Sequence, residues 1–139
     1  MLEERFVHLH VHSEYSVTDS LLPVETIVNR ALADKSPAVC ITDRHNFFAA
    51  VKLYQCAQHH GLQPILGAQV TIRQDTTLTG EADTYELLLY CQNTAGYLNL
   101  CRLLSRAYQL DDPRAPYIPR AWLTAESCAG LLAIEPGLW

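Results

Sequence analysis

Residues 6–12 alternate without exception between Phe6, His8, His10 and His12 on one side and Val7, Leu9 and Val11 on the other. A period of two is the signature of an extended strand, whose successive side chains leave on opposite faces. The spacing therefore predicts a first strand over residues 5–11, with the histidines in one row and the aliphatic residues packed behind them. Imidazoles in such a row can converge on a metal ion, since neutral imidazole is a common ligand of zinc and related ions. Two of them on one strand edge supply half of a tetrahedral shell. The other use of such a face is to meet solvent or a hydrogen-bonded interior.

The chain beyond the first strand constrains the architecture further. Short apolar runs alternate with stretches of helical period, the sequence form of a βα-repeating fold with mostly parallel strands. Five strands and four helices are expected. A helix beginning near Pro23 carries Val24, Ile27, Val28, Ala31 and Leu32 on one stripe, and Pro23 suits its first turn. Strand formers fill residues 38–42, and a helix over 47–60 can end on Gly61 in a left-handed conformation. A third strand opens at 64–68 and can continue through Val70 and Ile72. Residues 75–83 read as an exposed loop, and 86–91 as a fourth strand. Asn93 or Thr94 can cap the next helix, whose expected stripe is Leu98, Cys101, Leu104, Ala107 and Tyr108. Residues 111–119, with three prolines, read as a surface excursion. A short helix over 120–127 then precedes a last strand at 131–134.

Composition excludes several function classes. With 139 residues, 49% of them hydrophobic and 18% charged, the chain can bury a real core as one soluble globular domain. It holds no apolar run near the roughly 20 residues that cross a bilayer, and its first five residues are acidic where a secretory signal would be basic. A cytoplasmic location is the resulting expectation. The five cysteines form no C-x-x-C pair, which disfavours a disulfide framework or a zinc ribbon and leaves them as small buried hydrophobes. A net charge of -5 with ten scattered basic residues supplies no electrostatic footprint for nucleic acid. A closed (β/α) barrel usually needs about 200 residues or more, so five strands are expected to leave an open edge, as in part of a longer domain.

In parallel α/β folds the reactive side chains gather at the C-terminal ends of strands. Here the first strand delivers His10 and His12, the following turn Asp19, and the second strand ends in Thr42-Asp43-Arg44-His45. A mixed histidine and carboxylate cluster of this kind can hold zinc or manganese and activate a water for phosphoester hydrolysis. Asp43 can instead hold backbone amides at the strand end. His59 and His60 at a helix end, Glu14-Tyr15-Ser16 near the site mouth, and Trp122 have simpler readings as solvated, loop-shaping and packing residues.

The order H-x-H, Asp, T-D-(H), G-x-(E) resembles the polymerase and histidinol phosphatase (PHP) superfamily. The blocks F-V-H-L-H-V-H-S-E-Y-S, I-T-D-R-H-N-F-F-A-A-V-K-L-Y, P-I-L-G-A and N-T-A-G-Y-L-N-L-C-R-L-L-S-R-A-Y resemble more narrowly the N-terminal PHP domains of the bacterial DNA polymerase III alpha subunit family. The resemblance covers essentially the whole chain. It implies a (β/α)7-type barrel of which this chain is about the first half, with the polymerase domains downstream. Residue by residue, it places His10, His12 and Asp19 on metal-ligand positions; His8 and Asp43 are candidates to support such ligands. Three positions depart from the family. Arg44 replaces the histidine of T-D-H, Gln69 replaces the glutamate of G-x-E, and Glu86 replaces a further histidine. Arginine cannot ligate a cation, and Gln69 removes a negative charge that would offset one. Glu86 can still ligate through oxygen. His45 adjoins the lost position, one residue out of register.

The resemblance implies two functions. The first is a structural and docking module with a degenerate metal site, a platform for the proofreading exonuclease subunit that meets DNA only through the parent DNA-directed DNA polymerase. The second is a metal-dependent phosphoesterase or 3'-5' exonuclease, with zinc or manganese held by His10, His12 and Asp19. Arg44 and Gln69 favour the first, and the intact H-x-H with Asp19 favours the second.

Overall fold

The computed structural model describes residues 5–75 and 82–137. They form two compact units, Met1–Gly67 and Ala68–Trp139. The expected loop at 75–83 falls partly outside the described residues, but Asp75 closes one strand while Ala82 and Asp83 open the next.

In the first unit, α1 (Val24–Ala33), β1 (Ala38–Arg44) and α2 (Ala50–His59) alternate as the periodicity predicts. The stripe read from the sequence is the buried one. Val24, Ile27 and Val28 are buried, while Ala31 and Leu32 pack against the same cluster with Val39, Ile41, Leu53, Ala57 and Leu62. Burial of each of the larger aliphatic side chains contributes roughly 1.5–3 kcal/mol. β1 is buried from Ala38 to Asp43, and only Arg44 emerges, as expected of a strand covered on both faces. Pro23 sits at the N-cap of α1, where its carbonyl accepts from the amides of Thr26 and Ile27. α2 starts later than the pattern predicts, because residues 47–49 form a turn first. At its other end Gly61 takes φ +70°. The Leu62 amide then donates to the Ala57 carbonyl at 2.9 Å and the Gly61 amide to Gln58 at 3.1 Å, the paired closure that a left-handed residue permits.

The first expected strand is corrected by the structure. Residues 5–13 are extended but join no strand ladder. The alternation survives in the side chains, since the Phe6 and His8 rings meet edge to face at 4.8 Å and those of His10 and His12 at 5.2 Å. Behind them Val11 packs on the core cluster, while Leu9 stays 39% exposed. The pairing at Val11 is irregular. The Thr42 amide donates to the Val11 carbonyl at 2.8 Å, but the Val11 amide is taken by the Thr42 hydroxyl at 3.1 Å. A side chain has replaced one rung of the ladder.

β2 (Gln63–Asp75) starts in the first unit beside β1 and continues into the second. In the second unit it is followed by β3 (Ala82–Cys91), α3 (Thr94–Ala107), β4 (Ile118–Pro119), a 3₁₀ turn at Arg120–Trp122 and β5 (Leu131–Ile134). β3 lies between β2 and β5, and β4 pairs with β2. The β2–β4 pair is parallel, with Ile72 opposite Ile118, whereas β3 and β5 run antiparallel from Leu88–Ile134 to Cys91–Leu131. The residues after the prolines are thus not wholly a surface excursion, because Ile118 is completely buried. The short helix expected at 120–127 shrinks to the 3₁₀ turn.

α3 is capped as read, with the Asn93 side chain accepting from the Gly96 amide at 3.0 Å. Its buried face is Gly96, Leu100, Leu103, Leu104 and Ala107. The expected stripe is therefore rotated, and Leu98 and Tyr108 are 47% and 40% exposed. Two apolar stripes were available on this helix, and a close approach selects between them. Gly96 lies against the Gly130 carbonyl so tightly that a Cβ on Gly96 would collide with it. Gly130, at φ +75°, accepts from the Gln92 amide at 2.9 Å. That glycine-to-glycine contact fixes which side of α3 faces the sheet.

Candidate functional site

The site of the first unit is built on the end of β1. The Asp43 carboxylate is only 1% exposed. It accepts from the Ser13 amide at 2.7 Å, the Ser13 hydroxyl at 2.6 Å and the Ser16 hydroxyl at 2.7 Å. Buried carboxylates persist where such donors replace water. The same Ser16 oxygen accepts from the Arg44 amide at 3.0 Å. Asp43 thus pins the chain immediately after the histidine row. Backbone bonds from Ser16 to Ser13 and from Asp19 to Ser16 wind the following residues into a turn that presents Asp19.

Asp19 is met by Arg44, whose Nε donates to Oδ2 at 2.9 Å. His12 Nδ1 lies 3.9 Å from that same oxygen. The hydrogen bond from Arg44 lowers the Asp19 pKa below the ordinary carboxyl value; partial burial opposes this, and the charges of Arg44 and His12 assist it. Sequence reasoning brought His12, Asp19 and Arg44 to one place, and the structure agrees. It adds that the arginine holds the carboxylate. His10 joins them through its ring contact with His12, and His8 lies one step back against Phe6. His45 comes next in a left-handed conformation at φ +52° and is buried, 4% exposed. Asn46 secures that bend by donating to the carbonyls of Tyr15 and Arg44, each at 3.1 Å.

The other two expected positions lie together in the second unit. Glu86 on β3 accepts through Oε2 from the Gln69 amide group at 3.1 Å and through Oε1 from the Thr71 hydroxyl at 2.7 Å. Both carboxylate oxygens therefore face donors carried by β2. Among the described residues no three His, Cys, Asp or Glu side chains are grouped so as to hold a metal ion. The roles of three residues escaped the sequence reading. Ser13 and Thr42 matter through long-range hydrogen bonds, and Lys52 bridges Glu14 and Glu25 at 3.3 Å each. Only the apolar-strand setting of Thr42-Asp43 hinted at buried polar partners.

The model of the PHP domain family matches residues 8–138. The chain belongs to the PHP domain family. Over 138 residues this PHP domain is 41% identical to the DNA polymerase III subunit alpha of Escherichia coli strain K12, and over 137 residues 36% identical to that of Pasteurella multocida. Each match covers 99% of the chain but 12% of the relative, so the PHP domain spans about an eighth of the length of these proteins. Two solved structures share its fold. One is a Bifidobacterium adolescentis protein assigned as a metal-dependent phosphoesterase, with TM-score 0.52, 14% identity, and 74% of this chain and 32% of that one covered. The other is an amidohydrolase from Chromobacterium violaceum, with TM-score 0.51, 17% identity, and 74% and 33% covered. The α/β class expected from the sequence is the class found, but the strands are not mostly parallel as expected: of the pairings described, β2–β4 is parallel and β3–β5 antiparallel.

Proposed function

We propose that this PHP domain serves bacterial DNA replication as a structural and docking module of a DNA polymerase III alpha subunit, with a degenerate metal site. The reading rests on one observation above all: the Arg44 guanidinium holds the Asp19 oxygen that a divalent cation would need. Arginine carries a permanent charge and only donors, so it satisfies the carboxylate and repels a second cation. Glu86 reinforces the point, since both its oxygens accept from Gln69 and Thr71. The residues present do not suit zinc or manganese, and no hydrolytic step is assigned to them. Asp43 holds the turn of residues 13–19 in shape, and the Arg44 side chain occupies Asp19 at its end.

In this reading the parent protein is a DNA-directed DNA polymerase, a nucleotidyltransferase of the cytoplasm, and the module's partner is the proofreading exonuclease subunit. Among the described residues no helix is long and apolar enough to cross a membrane, which is compatible with that setting.

The test is elemental mass spectrometry of the chain after incubation with zinc or manganese and gel filtration. The expected result is far less than one metal per chain, rising when Arg44→His exchanges the fixed cation for a ligand. About one metal per unmodified chain, with phosphodiester hydrolysis abolished by His12→Ala at unchanged stability, would overturn the reading in favour of a phosphoesterase.

A further inference from the structure

On the second unit the exposed side of α3 and residues 120–127 enclose a groove of about 760 Å³, within the range of roughly 300–1,000 Å³ typical of ligand clefts. Leu98, Arg102 and Arg106 line one wall at four-residue spacing, which sets them in one row along the helix. Trp122, Glu126 and Ser127 line the other. Arg106 lies over the Trp122 ring, its guanidinium carbon 3.9 Å from the ring centre. This stacking leaves the edge of the guanidinium fork available for carboxylates. Among the described residues Arg102 donates to the Asn99 side-chain oxygen, at 3.3 Å. Among the described residues neither arginine forms an ion pair with a carboxylate. In a chain of net charge -5, the two guanidinium groups stand together on one groove wall beside Leu98.

We propose that this groove docks an acidic peptide segment of a partner protein, its carboxylates on Arg102 and Arg106 and an aliphatic side chain beside Leu98. Charge complementarity supplies the argument for the occupant, since such a segment neutralises both cations while covering the apolar wall. A single-stranded nucleic acid fits less well. Base stacking needs a free aromatic face, and Arg106 already covers one face of Trp122. The inference deepens the docking role proposed above and rests on it for the nature of the partner.

The experiment is fluorescence anisotropy of the 139-residue chain with a labelled peptide alternating glutamate and leucine. The same peptide with lysine for glutamate, and an oligothymidylate, serve as competitors. Capture of the exonuclease subunit is measured in parallel. Binding is expected to weaken with salt and to fall about tenfold or more in Arg102→Glu, with Arg102→Lys retaining most of it. Circular dichroism is expected to show that each variant keeps its fold, because Arg102 is exposed. Absence of peptide binding, equal binding of the lysine peptide, displacement by the oligothymidylate, or self-association lost in Arg102→Glu would each overturn the proposal. If the exonuclease subunit is captured equally by the unmodified chain and Arg102→Glu while the peptide fails to bind, the groove is wrong and the docking role stands. If the peptide binds as expected and the subunit is never captured, the groove stands and that partner falls.

Discussion

Replacing Asp43 by alanine should uncouple the turn of residues 13–19 from the core. The carboxylate accepts three hydrogen bonds, all 2.7 Å or shorter, and charge-assisted bonds contribute roughly 1.5–3 kcal/mol each net of water. They share one acceptor group and are not additive, so the expected loss is about 4 kcal/mol rather than their sum. Part of that cost is the buried Ser13 amide, left without an acceptor. Asp43→Asn is the informative comparison. The asparagine oxygen can keep the Ser13 amide and the Ser16 hydroxyl, but its amide group would face the Ser13 oxygen, which already accepts from the Tyr15 amide at 3.2 Å. The Ser13 hydroxyl proton then loses its acceptor, at a cost of about 1–2 kcal/mol. The assay is amide hydrogen exchange at Ser13 and Arg44 with urea denaturation followed by circular dichroism. Exchange at Ser13 should accelerate by roughly 10³-fold in the alanine variant and by about tenfold in the asparagine variant. A loss below about 1 kcal/mol in Asp43→Ala, or equal losses in the two variants, would refute the assignment of Asp43 as the clamp.

Two further outcomes are expected. Gly130→Ala places a methyl group against the Asn93 side chain and 2.6 Å from the Gly96 amide, at a φ of +75°, so it should cost at least about 2 kcal/mol and lower the melting temperature by roughly 5–10 °C; a melt unchanged within 1–2 °C (about 0.5 kcal/mol) would count against the glycine contact. Because the folded Asp19 pKa is lowered, chiefly by the Arg44 hydrogen bond, the stabilisation this pair supplies is fully present above the unfolded carboxyl pKa and disappears as pH falls through the lower folded value. Carboxyl ¹³C titration should therefore show the Asp19 midpoint rising in Arg44→Leu, and a midpoint that stays put would show that Arg44 is not its cause.

The parts of the fold legible in the sequence were those fixed by local pattern. The Val24, Ile27, Val28 stripe, the Gly61 stop and the Asn93 cap each depend on neighbours within a few turns of chain, and each was found as read. The misjudged face of α3 depended on Gly130, some thirty residues away, and the burial of Ile118 on its pairing with Ile72. No period in the sequence encodes either. The same division runs through the site. Arg44 and Gln69 stand out in the sequence only against the pattern of the family it resembles, and that Arg44 grips Asp19 and Gln69 grips Glu86 depends on contacts across 25 and 17 residues of chain. In the first expected strand the Val11 amide goes to a hydroxyl, that of Thr42. A threonine in a strand is ordinarily only a good strand former.

The Asp43 clamp also bears on how such a site can change over time. Where a turn is held by a metal ion, its ligands must be retained for the backbone to keep its course, and losing one threatens the fold. Here the turn is tied to the interior by a carboxylate of β1 and two serines, so its path is independent of whatever occupies the histidine row. Shape and chemistry are thereby decoupled. An exchange at position 12, 19 or 44 is therefore expected to cost the local contacts of that side chain while the backbone tied to Asp43 keeps its course.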